Sequence, residues 1–212
     1  MDADVAINFH TVAFDTLMHI GRGKFGLVYS YTDSVAIKRI VCENLANSDE
    51  AKRKYEDCKM EIQVMSNLSH HFNIVKLVQS EIIVHSHENV SIFIAMEYLK
   101  GISLFESFNS NAVKGWSGYR RVEILLCIHS ALLHIHSHGY VHMDICPNNI
   151  MIELDTGRVV IIDFGFSKFS DVNKRQPVTN HHQSSKRGGL GTLGYVAPEN
   201  GTSPTWFVYL CT

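Results

Sequence analysis

Apolar positions arrive first in short runs of β-type spacing. Residues 14–20 and 27–31 flank Gly21-Arg22-Gly23-Lys24-Phe25-Gly26, which predicts strand, glycine turn, strand. After the turn residues Thr32-Asp33-Ser34, residues 35–41 predict another strand. Its alternation puts Ala36 and Lys38 on one face, Val35 and Ile37 on the other. Residues 81–84 and 91–96 predict further strands, the second ending in Glu97-Tyr98-Leu99-Lys100-Gly101. Between these runs the period changes. Asn47-Ser48-Asp49-Glu50 predicts a helix start, with Asn47 as the cap and Glu50 three residues on. That helix runs to about residue 67, with Cys58, Ile62 and Met65 at helical spacing and Glu61 on the same face. A second helix is predicted over residues 117–138 from Val122, Leu125, Leu126, Ile128, Leu132, Leu133 and Ile135, and Gly139 stops it. Residues 150–153 and 159–162 are β-branched runs around Asp155-Thr156-Gly157 and predict a hairpin. Folded about Thr156, it would place Asn149 opposite Asp163.

This pattern describes an α+β chain. At 212 residues with 45% apolar residues it is long enough to fill a core of about one large domain. A net charge of −2 argues against a nucleic-acid partner held by its backbone charge. No apolar run approaches the roughly 18 residues of a membrane span, and the first sixteen residues lack a basic-then-apolar leader, so an intracellular, cytoplasmic or nuclear setting is expected. Five cysteines without C-x-x-C spacing fit reduced thiols better than a disulfide framework. Thirteen histidines include His85-x-His87 and His134-x-His136-x-His138, but no Cys/His set completes a four-ligand zinc site. Nothing in the pattern specifies an oligomeric state.

The candidate chemistry lies in His142-Met143-Asp144-Ile145-Cys146-Pro147-Asn148-Asn149 and in Asp163-Phe164-Gly165. Two carboxylates and an amide oxygen converging at the open end of a hairpin form a hard oxygen site. Such a site suits Mg²⁺ carried on substrate phosphates, not an all-protein cage. Any one of these residues alone reads as a turn former or cap. A lone G-x-G-x-x-G is weak as well, and here a strand follows it where dinucleotide binding would need a helix. Glu61 adds a carboxylate on a buried helical face, which is costly without a partner, and Lys38 is the candidate.

Taken in order, these elements resemble the eukaryotic protein kinases of serine/threonine type. The resemblance implies a bilobal α+β fold over residues 14–212: an upper lobe (14–96) built on a five-stranded antiparallel sheet with one helix, a hinge (97–101), and a mainly helical lower lobe (102–212) that is incomplete. It implies transfer of the γ-phosphate of Mg·ATP to Ser or Thr hydroxyls of a protein substrate, with ATP and Mg²⁺ as cofactors. Gly21, Gly23 and Gly26 would form the flap over the phosphates, and Ile20, Val28, Ala36 and Met151 would sandwich the adenine. Lys38 would hold the α- and β-phosphates against Glu61, Met96 would be the gatekeeper, and the backbone of Glu97 and Leu99 would meet the adenine edge. Asp144 would be the catalytic base, Asn149 and Asp163 the metal ligands, and His142 and Phe164 packing residues reaching Met65.

Residues beyond Gly165, with Lys174, Arg175, Lys186, Arg187, Ser170, Thr179, Ser184 and Ser185, resemble an activation loop. Gly191-Thr192-Leu193-Gly194-Tyr195-Val196-Ala197-Pro198-Glu199 resembles the substrate platform, with Thr192 selecting the hydroxyl. Three features depart from the family pattern. Met143 stands where an arginine is usual, which implies independence from loop phosphorylation. Cys146 stands where a lysine is usual, and few residues follow Glu199. These departures keep open an alternative: a catalytically impaired pseudokinase or nucleotide-binding scaffold.

Overall fold

A computed structural model describes residues 6–110 and 112–170. Its upper layer is one antiparallel sheet of β1 (Met18–Arg22), β2 (Leu27–Ser30), β3 (Val35–Cys42), β4 (Leu77–Val84) and β5 (Val90–Glu97) in the order β1-β2-β3-β5-β4. The five strands match the expectation, with one correction. Residues 14–16 are not strand: they form a short 3₁₀ turn in which Thr16 Oγ1 donates to the Ala13 carbonyl at 2.8 Å. Extended pairing starts only at Met18, because the Phe14 ring stacks on Phe93 (centroids 5.4 Å) across the outer face of the sheet.

Both faces of β3 and β5 are covered. Ile40, Cys42, Ile92 and Ile94 join the main core under the helix, whereas Ile37, Phe93 and Ala95 face the other way. That outer face is closed by the chain before β1. Phe9 is 2% exposed and stacks on Phe93 at 5.2 Å, and the Ile7 N–H donates to Gln79 Oε1 at 2.8 Å. This apolar strap had no counterpart in the reading of the sequence.

Helix α1 (Asp49–Leu68) crosses the inner face. Its cap is Ser48, not Asn47: Ser48 Oγ accepts from the Ala51 N–H at 3.2 Å. Asn47 is used elsewhere, its side-chain amide donating to Glu88 Oε1 at 3.1 Å, so the start moves by one residue. The lower part holds β6 (Gly101–Ser103), α2 (Leu104–Asn109), α3 (Gly118–Ser137), β7 (Tyr140–Val141), β8 (Ile150–Glu153), β9 (Val159–Ile161) and β10 (Lys168–Phe169). A capping box starts α2, with Ser103 Oγ accepting from the Glu106 N–H and Glu106 Oε2 accepting from the Ser103 N–H.

Helix α3 buries Ile124, Ile128, Ala131 and Ile135, and packs on β7 and β9. Val122, Leu126 and Leu133, expected on its core face, are exposed among the described residues. Its apolar residues fall on more than one face, Leu126 and Leu133 lying outside the buried stripe, so periodicity did not single out the packed one.

The hairpin β8–β9 forms, but one register short of the expectation. Ile150 pairs with Ile161, Met151 with Val160 and Ile152 with Val159. Asn149 therefore falls opposite Ile162, whose N–H donates to the Asn149 carbonyl at 2.9 Å. The cause is the turn. Glu153 N–H donates to the Arg158 carbonyl at 3.0 Å, enclosing a loop of even length whose Gly157 takes φ +71°. A loop centred on Thr156 would need odd length, and one residue of slip exchanges the faces.

Candidate functional site

Period-two alternation in β3 and helical spacing in α1 bring Lys38 and Glu61 together between sheet and helix. Lys38 Nζ donates to Glu61 Oε1 at 2.6 Å and to Asp163 Oδ1 at 3.0 Å. The two side chains are 3% and 1% exposed. Burial alone would lower the Lys38 ammonium, but the Glu61 and Asp163 carboxylates outweigh it and hold its pKa above the usual lysine value. Burial pushes Glu61 upward, with the Lys38 charge opposing. Burial also works to raise Asp163, yet Lys38 and the Gly165 N–H reverse the shift and keep it below the usual carboxylate value.

Asp163 reaches this position through a left-handed backbone, φ 58°. The turn lets Asp163 Oδ1 accept from the Gly165 N–H at 3.3 Å. Met143, one residue before Asp144, is likewise left-handed at φ 66°. Such conformations cost about 1–3 kcal/mol each in a non-glycine residue and persist only where the surroundings fix them. Here the fixing contacts are buried. His142 Nε2 lies 3.2 Å from the Ile162 carbonyl, the His142 and Phe164 rings stand 4.8 Å apart, and both are almost fully buried. Phe164 belongs to the same core as Met65, as expected.

Asp144 and Asn149 are coupled. Asn149 Nδ2 donates to Asp144 Oδ2 at 2.8 Å and to the Asp144 carbonyl at 2.9 Å. With the amide nitrogen so engaged, Asn149 Oδ1 is the atom left to act as a metal ligand. Cys146 is buried and caps the 3₁₀ turn Pro147–Asn149, its carbonyl accepting from the Asn149 N–H at 2.9 Å.

The glycine turn lies over the charged group. A Cβ on Gly23 would come 2.8 Å from Lys38 Cε and 3.4 Å from Asp163 Oδ2. One on Gly26 would meet the Arg39 carbonyl at 2.3 Å, whereas Gly21 has nothing within 4 Å. Beside the glycine turn, Ala36 is buried next to Met96 across the β3–β5 ladder, and Leu99 is buried two residues past the end of β5. Val28 lies on β2, Ile20 on β1 and Met151 on β8. Glu97 is bound on three sides: its N–H donates to the Lys76 carbonyl, and its carboxylate accepts from the Lys76 N–H and from Arg158 at 2.6 Å.

One site residue was missed. Lys24 at the flap tip donates to the Gly165 carbonyl and to Asp57 Oδ2, both at 3.2 Å, and lies 3.8 Å above the Phe166 ring. Nothing local distinguishes this lysine from a solvated one. Thr192, Glu199 and the candidate loop residues from 171 onward lie outside the described residues.

A family profile described as protein kinase domain matches residues 14–203. The chain is 29% identical over 202 residues to a probable serine/threonine-protein kinase of Dictyostelium discoideum, covering 88% of this chain and 41% of the relative. It is 28% identical over 192 residues to the Aurora kinase of Schizosaccharomyces pombe, with coverages of 90% and 48%. To chitin elicitor receptor kinase 1 of Arabidopsis thaliana it is 30% identical over 192 residues, with coverages of 88% and 27%. The chain thus spans less than half the length of these curated relatives. No helix among the described residues is long and apolar enough to cross a membrane.

Proposed function

Because this chain belongs to the protein kinase domain family, we propose that its site takes Mg·ATP and passes the γ-phosphoryl group to a Ser or Thr hydroxyl of a protein. The observation that carries the reading is the position of Gly23 directly over Lys38 and Asp163, with Glu61 holding the same ammonium. A side chain is missing just where a polyphosphate would approach a buried ammonium and a carboxylate.

The donor set fits a metal ion borne by the nucleotide. Asp163 and Asn149 supply one carboxylate and one amide oxygen, too few for a protein cage and suited to Mg²⁺ that keeps phosphate and water ligands. When bound, the ion would supply charge neutralisation at the phosphate oxygens. Lys38, oriented by Glu61, would hold the α- and β-phosphates. Asp144, oriented by its hydrogen bond from Asn149, would accept the hydroxyl proton of the substrate. Ile20, Val28, Ala36, Leu99 and Met151 would enclose the adenine, with Met96 behind it and the backbone of Glu97 and Leu99 at its edge. Thr192 would help select the hydroxyl on the platform. The proposed domain runs over residues 14–212, with the hinge at 97–101.

The test is a thermal-shift titration with Mg·ATP followed by phosphotransfer to a generic protein substrate, each repeated with Asp163→Asn. The reading expects a Mg²⁺-dependent shift and turnover in the parent chain, both weakened in the variant. Binding without turnover would favour the scaffold reading. A folded chain that ignores Mg·ATP would overturn the nucleotide assignment.

A further inference from the structure

Lys24 lies at the tip of the glycine turn between β1 and β2, and its ammonium reaches two elements beyond that turn. Lys24 Nζ donates to Asp57 Oδ2 on α1 and to the Gly165 carbonyl, both at 3.2 Å, and stands 3.8 Å over the Phe166 ring and 4.2 Å over Phe25. Asp57 and Glu61 are four residues apart on α1, so one face of the helix carries both the acid that meets Lys24 and the acid that meets Lys38. Gly165 lets these groups close up: a Cβ there would come 3.4 Å from Glu61 Oε2 and 3.5 Å from Lys24 Cβ. The glycine turn lies low. A Cβ on Gly23 would stand 2.9 Å from Lys38 Nζ. A charge-assisted hydrogen bond places a phosphate oxygen at about the same distance from an ammonium. The Gly23 backbone therefore fills the side of Lys38 where phosphorus and its remaining oxygens would need to fit.

We propose that Lys24 is a clasp that holds the glycine turn shut on Lys38 and Asp163, an autoinhibitory contact that must open before Mg·ATP enters. The nucleotide half of this inference rests on the function proposed above, whereas the clasp itself rests on the contacts alone. One ammonium joins the β1–β2 turn, α1 and the turn after Asp163. Its strength suits a latch. The Asp57 side chain is 47% exposed and lines an open cavity of about 940 Å³, so water screens the ion pair and weakens it. The carbonyl hydrogen bond and the ring contacts add to that pair, and each is small enough for a binding ligand to displace. A shift of α1 away from the sheet would draw Asp57 and Glu61 off together, releasing the turn and Lys38 in one motion. The competing role for Lys24 is to hold a phosphate itself, in which case its loss weakens nucleotide binding.

The test compares the full chain with Lys24→Met and Asp57→Asn, each shown to keep a cooperative melt. Hydrogen–deuterium exchange without nucleotide reads the clasp. Amides of residues 21–26 should exchange about three- to tenfold faster in both variants, the range set by losing a partly exposed ion pair and its neighbours, with β3 and β5 unchanged. Lys24→Arg should restore much of the protection. Mg·ATP titrations read the consequence: both variants should bind about three- to tenfold more tightly than the parent, because more of the chain stands open. The two substitutions change charge in opposite directions. A field effect on the anionic nucleotide would move their affinities apart, whereas a broken clasp moves them together. Unchanged exchange in the variants overturns the clasp, and so does Mg·ATP binding by Lys24→Met that is equal to or weaker than the parent's. Faster exchange in variants of which none binds Mg·ATP supports the clasp and overturns the nucleotide reading instead.

Discussion

Lys38 Nζ stands 2.6 Å from Glu61 Oε1 and 3.0 Å from Asp163 Oδ1, so the ammonium has two acid partners. Glu61 has only the one: its second oxygen, Oε2, has no hydrogen-bond partner among the described residues. The two truncations should therefore differ. Glu61→Gln leaves Lys38 paired with Asp163 and should cost about 1.5–3 kcal/mol, the worth of one charged hydrogen bond. Lys38→Met strands a buried carboxylate and should cost about 3–5 kcal/mol. Urea midpoints of the two variants check the order, and a smaller loss for Lys38→Met would contradict the asymmetry.

The flap glycines should separate by what surrounds each one. Gly26→Ala places a methyl 2.3 Å from the Arg39 carbonyl, so backbone must move and stability should fall by about 1–3 kcal/mol. Gly21→Ala meets nothing within 4 Å and should stay within about 0.5 kcal/mol. Gly23→Ala meets the movable end of Lys38 and should keep the melting temperature while weakening Mg·ATP affinity. Thermal melts and nucleotide titrations on the three variants distinguish these outcomes.

Phe9 precedes the residues matched by the family profile, yet it packs against Phe93 on the outer face of the sheet. Phe9→Ala should cost about 3–5 kcal/mol, the usual range for a buried phenylalanine. A chemical-denaturation curve indistinguishable from that of the parent would show that the strap adds nothing to the sheet.

Acid should weaken the fold through its buried histidines before Asp163 titrates. Burial lowers the pKa of His142, and it also lowers His71 and His134, whose rings lie 4.9 Å apart. With folded values below the ordinary value of about 6.5, the unfolded chain binds more protons in the window beneath it, so stability falls as pH drops through that window. Asp163 is depressed as well, and its contribution disappears only below about pH 4. Melting temperatures followed from about pH 7.5 to 5 should decline, and His134→Gln should flatten part of the slope. An unchanged slope in that variant would remove His134 from the account.

Much of this arrangement was legible in local pattern. Alternation in β3 put Ala36 and Lys38 on one face, and helical spacing in α1 put Glu61 on the buried one, so their meeting followed from two periods. The glycines, Asp163-Phe164-Gly165 and the β8–β9 hairpin were likewise readable from residue type. The register of that hairpin was not, because Gly157 closes a loop of even length and moves Asn149 opposite Ile162. The helix cap moved to Ser48 because Asn47 found a partner in Glu88, forty-one residues away.

What the sequence determined by itself was therefore the kind and order of the elements and the chemistry each could bring, because propensity and period act over a few neighbouring residues. Tertiary structure alone decided which faces are covered and which distant atoms meet: Phe9 on Phe93, Lys24 on the Gly165 carbonyl, Asn149 on Asp144, and Ile128 buried on α3 while Leu126 is exposed. Those choices depend on contacts between residues far apart in the chain, and no local pattern records them.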